Sequence, residues 1–133
     1  MTRPNKNSTA KKETRMRILP EKDLRVNGSL WLEHDGRRFF GPGPVQLLEG
    51  IADTGSISKA AKKMQMSYKK AWEIVNNLNT TASRPLVITA TGGEKGGGSI
   101  ITAEARELIA AYKELRQRFS AFLEQESERA QKH

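Results

Sequence analysis

Cysteine is absent from these 133 residues. Disulfides, thiol nucleophiles and cysteine-held zinc or iron–sulfur centres are therefore excluded. Histidine is nearly as scarce, with only His34 and the final His133. A histidine-rich metal site is excluded too, and the expectation is no metal and no cofactor. No apolar run approaches the ~18 residues of a membrane span. The polar opening stretch, MTRPNKNSTAKKETRMR, lacks the apolar core of a signal peptide and the apolar face of a mitochondrial presequence. The expectation is a soluble, cytoplasmic chain with no membrane association. Its length suits one domain of ~100–150 residues.

Charge is what the chain has in excess. Twenty-three Lys and Arg stand against fifteen Asp and Glu, a formal +8. Residues 1–22 hold seven basic and two acidic groups, whereas residues 103–133 hold six of each. Between Lys59 and Lys70 there are five lysines and no acid. An excess so placed suits a polyanion, and nucleic acid is the first candidate. A merely solvated basic surface has to be separated from it by pattern.

Residues 1–22 read as a disordered basic tail. From Leu24 the chain reads LRVNGSLWLEHDGRRFF, with β-rich runs at Ser29–Glu33 and Arg37–Phe40 flanking Asp35-Gly36, a strong hairpin signal. Gly41-Pro42-Gly43-Pro44 breaks the strand and opens a helix whose Val45, Leu48, Ile51 and Ala52 recur at helical spacing, with Leu47 beside them. Gly55 ends it. A short second helix covers about Ser58–Lys63, capped by Ser56 or Ser58, with Ile57, Ala60, Ala61 and Met64 inward. Gln65-Met66 makes a tight turn, and Ser67 caps a third helix from Tyr68 to about Thr80. PLVITAT at 85–91 and Ile100-Ile101-Thr102 are strand-like, and GGEKGGGS between them is a glycine-rich hairpin tip. Thr102 caps a last helix that runs to about residue 126, leaving 127–133 as a flexible C-terminus. Neither glycine stretch is a nucleotide loop: GPGPVQ lacks the third glycine of G-x-G-x-x-G, and Lys95 is followed by glycine.

Hairpin, three helices, glycine-tipped hairpin and long helix describe a mainly α (α+β) winged helix-turn-helix over residues 23–126. A duplex major groove admits one α-helix, held by another lying across it. On the third helix, Ala71, Trp72, Val75 and Leu78 form one apolar arc with Ile74 at its edge. Tyr68 and Trp72 are expected in the core. Lys69, Lys70, Glu73, Asn76 and Asn77 form the opposite face. Asparagine can bind adenine bidentately, lysine can reach guanine or phosphate, and Glu73 can accept from cytosine or simply pair on the surface. Amphipathic surface helices are common, so the combination carries the reading. Ser56, Ser58, Lys59, Lys62, Lys63, Ser67, Lys69, Lys70, Glu73, Asn76, Asn77 and Lys95 are the candidate DNA-binding residues.

The last helix, over 102–126, carries Leu108, Tyr112, Leu115, Phe119 and Phe122 in a heptad-like stripe. It can fold back on its own domain. A self-complementary homodimer seam through that stripe is preferred, because three aromatic rings exceed what a small domain needs.

Residues 55–79, GSISKAAKKMQMSYKKAWEIVNNLN, resemble the helix-turn-helix of the ModE family of molybdate-responsive transcription regulators, and more distantly the LysR-type domain. Gly55-Ser56-Ile57-Ser58, Ala60-Ala61 and Met66-Ser67-Tyr68 followed by Ala71-Trp72 carry the likeness. It extends over about residues 24–125. The resemblance implies a dimeric domain whose third helix enters the major groove of double-stranded DNA while the wing touches the backbone. ModE proteins hold molybdate in a separate C-terminal module, so no molybdate site is expected in this chain. The reading is a sequence-specific, dimeric transcription regulator. A nonspecific or architectural nucleic-acid binder is the alternative. An enzyme has no nucleophile–base pair or metal cluster to support it, and no catalytic residue is assigned.

Overall fold

The computed structural model describes residues 18–20, 22–90 and 98–131. The expected basic tail thus lies almost wholly outside the described residues. The chain divides into two compact units, one of residues Ser29–Leu115 and one combining residues up to Gly28 with those from Arg116.

The larger unit opens with an antiparallel hairpin, β1 (Leu32–His34) and β2 (Arg37–Phe40), pairing His34 with Arg37. Asp35 and Gly36 take φ of 51° and 75°, the left-handed pair that a two-residue hairpin turn demands. The helix α1 (Pro42–Thr54) follows, with prolines in its first turn and Gly55 as its C-cap at φ 70°. The Gly55 N–H donates to the Ile51 carbonyl at 2.8 Å, so the glycine stop works as the sequence indicates. Next come α2 (Ile57–Lys63) and α3 (Tyr68–Thr81). Ser56, rather than Ser58, caps α2 by accepting from the Lys59 N–H, and Ser67 caps α3 by accepting from the Lys70 N–H, both at 3.1 Å.

Two three-residue strands, β3 (Val87–Thr89) and β4 (Ser99–Ile101), pair antiparallel with Val87 opposite Ile101. The last helix, α4 (Ala103–Gln131), starts at Thr102, whose hydroxyl accepts from the Ala105 N–H. The architecture is a winged helix-turn-helix, mainly α. Its core is Phe40, Leu47, Leu48 and Ile51, fully buried, closed by Ile57, Ala60, Ala61, Ala71, Val75, Leu78, Leu86, Ile101 and Ile109. Ala52 is exposed instead of inward.

In the smaller unit the extended stretch Leu24–Gly28 lies along the second half of α4. The Val26 N–H donates to the Ser127 hydroxyl at 2.7 Å, and the Gln131 amide donates to the Leu24 carbonyl. Ser127 and Ala130 are buried. The helix therefore continues to Gln131, past the expected end near 126, since no glycine or proline between 103 and 131 interrupts it. No helix of the described residues is long and apolar enough to cross a membrane.

Candidate nucleic-acid interface

The short helix α2 and the helix α3 are joined by Met64–Met66, where Gln65 takes φ 55° and the Met66 N–H donates back to the Ala61 carbonyl. Small side chains set the close approach of α1 and α2. A methyl group built on Gly50 of α1 would stand 3.0 Å from the Ala60 Cβ of α2, inside the ~3.5–4.0 Å of comfortable carbon contact. Ala60, Ala61 and Ala71 are buried at the same junction. On α3 the buried positions are Ala71, Val75 and Leu78, which leaves its opposite face exposed.

That face carries Lys69, Lys70, Glu73, Asn76 and Asn77, all exposed, while Ser58, Lys59, Lys62 and Lys63 are exposed on α2. The structure thus gathers nine of the candidate residues on the outer surfaces of two consecutive helices. Ser56 and Ser67 use their hydroxyls as caps. Lys95 lies outside the described residues. The two asparagines differ in how far they are free. The Asn77 amide donates to the Arg38 carbonyl at 3.5 Å, and its oxygen accepts from the Thr81 hydroxyl at 3.2 Å. Asn76 makes no side-chain hydrogen bond among the described residues, so its donor and acceptor both remain available.

Two expectations are corrected. Tyr68 and Trp72 are not core residues: they are 53% and 39% exposed. The core-facing positions of α3 are Ala71, Val75 and Leu78, and the two rings stand outside that narrow contact, edge-to-face at 6.1 Å. Tyr112 is not free for a seam between copies. It is 3% exposed, packs edge-on against Phe40, and donates its phenol hydrogen to the Leu30 carbonyl at 2.9 Å. Leu108 is partly buried against the same core. Leu115 and Phe119 are half-buried, and Phe122 is 54% exposed.

Sequence reasoning missed Asn79. Its side-chain oxygen accepts from the Leu86 and Val87 N–H groups at 2.8 and 3.1 Å, and its amide donates to the Val87 carbonyl at 3.0 Å. One side chain thereby fixes the start of the wing against the end of α3. An asparagine near a helix end followed seven residues later by a strand is the only sequence signal, and it is a faint one. The Asn79→Ala variant is expected to lose about 2 kcal/mol, since three backbone groups lose their partner in a half-buried place. A lower urea midpoint at unchanged slope reads this out.

The wing's second strand is anchored as well, by the Ser99 N–H donating to the Gly55 carbonyl at 2.9 Å. Among the described residues no group of three or more His, Cys, Asp or Glu side chains could hold a metal ion.

The profile of the bacterial regulatory helix-turn-helix protein, lysR family, matches residues 44–106, from α1 through the wing into α4. Several curated relatives match part of the chain. The molybdenum transport protein ModE of Azotobacter vinelandii is 40% identical over 85 residues, covering 64% of this chain and 32% of that protein. The molybdenum-pterin-binding protein MopB of Rhodobacter capsulatus is 46% identical over 90 residues, 68% of this chain and 33% of its own. The DNA-binding transcriptional dual regulator ModE of Escherichia coli (strain K12) is 41% identical over 83 residues, 62% and 32% respectively. The helix-turn-helix of this chain is of the ModE family. The chain spans about a third of the length of these curated relatives. In this ModE-type domain the glycine stop at Gly55, the two serine caps and the Tyr68–Trp72 pair fall within the matched residues.

Proposed function

We propose that the chain is a sequence-specific, DNA-binding transcription regulator that acts in the cytoplasm as a homodimer. The observation that carries this reading is the outer face of α3, where Lys69, Lys70, Glu73 and Asn76 stand clear of a helix held by serine caps and by α2. Asn76 has the free donor and acceptor that a bidentate adenine contact requires, and the lysines reach guanine or phosphate. The exposed lysines of α2 contact the flanking backbone. The Escherichia coli relative is named as a DNA-binding transcriptional dual regulator, and the helix-turn-helix family model matches residues 44–106. Molybdate recognition is not assigned to these residues. Selective binding of a tetrahedral dianion needs converging donors in a dry pocket, whereas the two grooves beside α3 are open to solvent.

Selection of bound duplexes from random sequence, followed by a salt titration of the winners, tests the reading. A regulator enriches one sequence and binds it at least ~10³-fold more tightly than unrelated DNA. Enrichment of no sequence, with salt-sensitive binding to all, would make it a nonspecific binder.

The partner copy is assigned to the stripe of α4 at half-buried Leu115 and Phe119 and exposed Phe122, with Tyr112 withdrawn into its own core. Two reading helices then meet half-sites ~34–36 Å apart on a palindromic operator. An aspartate at a central apolar position costs at least ~2 kcal/mol of association. Phe122→Asp is therefore expected to raise the dimer dissociation constant at least ~30-fold. Sedimentation of both proteins across micromolar concentrations reads this, and a Phe122→Asp dimer as tight as the parent would refute the seam.

A further inference from the structure

We propose that the β1–β2 hairpin is a second DNA-contacting wing, in which Arg37 and Arg38 hold the phosphate backbone on the side of α3 opposite β3 and β4. This rests on the DNA-binding reading above and extends it to a surface outside the helix-turn-helix and its glycine-tipped hairpin.

The placement follows from α3 itself. Residues two apart on an α-helix point about 160° apart. Asn79 reaches β3, and Asn77, two residues earlier, reaches the Arg38 carbonyl of β2. The two hairpins therefore flank α3 on opposite sides. Between β2 and α3 runs an open groove of about 410 Å³ whose walls include Arg37, Arg38, Asn77, Thr80 and Thr81. A second groove joins Arg38 to Lys70 and Glu73 on the reading face. The basic groups of the hairpin are thus continuous with those of the helix.

The chemistry suits a phosphodiester. Arg37 and Arg38 are exposed, and neither forms an ion pair among the described residues. The acidic side chains lining these grooves are Asp35, which lies 3.6 Å from His34 at the turn tip, and Glu73 on α3. The two arginines and Lys70 outnumber them. Arg38 also lies over the Trp31 ring, 4.9 Å from its centre. That stacking restricts the guanidinium and limits the ordering cost of a phosphate contact. The ring in turn lies against Gly41, where even a Cβ would clash with it. Trp31, Gly41 and Asn77 act as positioning residues for the hairpin.

The test uses the full chain and a selected operator, with affinity measured from ~50 to ~200 mM salt. Arg37→Ala/Arg38→Ala is expected to bind ~10-fold or more weakly at the low-salt end and to lower the salt slope by about 1.8, roughly 0.9 per lost phosphate contact. Penalties for changing each operator base should stay as in the parent, and Arg37→Lys/Arg38→Lys should restore most of the slope. Because Arg38 stacks on Trp31, Arg37→Ala alone serves as the second variant, with a slope decrease of about 0.9. An unchanged slope in both variants, in a chain that otherwise binds its operator, overturns the second wing and leaves the regulator reading standing. Weakened binding at unchanged slope also overturns it, since the loss would then be structural. Failure of the unaltered chain to retain any duplex overturns the parent reading instead.

Discussion

Replacing Lys69, Lys70 and Asn76 together by alanine is expected to lower operator affinity at least ~100-fold and to erase most preference for the selected sequence. A bidentate asparagine–adenine contact discriminates by ~1–3 kcal/mol, and two lost cations add to it through counterion release. The fold should be indifferent. All three side chains are exposed, and the Ser67 cap uses only the Lys70 backbone N–H. Asn77→Ala should behave differently from Asn76→Ala. Its amide is already engaged with Arg38 and Thr81, so removing it should weaken binding across sequences rather than relax one base. Electrophoretic or anisotropy titrations against single-base operator variants distinguish the two. Retained affinity and base preference in the triple variant would refute α3 as the reading element.

Leu48→Ala is expected to be the most damaging single change to stability, at about 3 kcal/mol. The side chain is fully buried between Leu47, Ile51 and Phe40, and leucine truncation in such a place costs the transfer energy plus a residual cavity. A domain of this size has only ~5–15 kcal/mol in hand. The melting midpoint should fall by roughly 12–24 °C, at ~4–8 °C per kcal/mol. At low temperature the folded fraction should still bind DNA, because Leu48 touches nothing on the reading face. A shift under ~3 °C would contradict the assigned core.

Local signals carried most of the fold. The Asp35-Gly36 turn, the proline start of α1, the Gly55 stop and the serine and threonine caps each depend on neighbours within about four residues, and each appears where the sequence puts it. Periodicity was less complete. It gives the direction of an apolar arc, but the width of the surface that covers the arc is set by other elements. Tyr68 and Trp72 lie on the right side of α3 and still protrude, because Ala71, Val75 and Leu78 fill the available contact. Tyr112 fits a heptad-like stripe, yet a carbonyl 82 residues earlier in the chain claims its hydroxyl. The different hydrogen bonding of Asn76 and Asn77, and the Asn79 link to the wing, depend on pairings across 7 to 39 residues. No local rule contains them.

The tight crossing at Gly50 and Ala60 has a bearing on how such a domain diversifies. At that crossing an added carbon requires its neighbour to give by a few tenths of an ångström, so substitutions of Gly50 are expected to strain the frame. A few residues along the chain, Lys69, Glu73 and Asn76 support no packing at all, and exchanges there cost the frame less than ~0.5 kcal/mol. With α3 as the proposed contact to DNA, point changes on its outer face are expected to shift the preferred target while the domain stays folded.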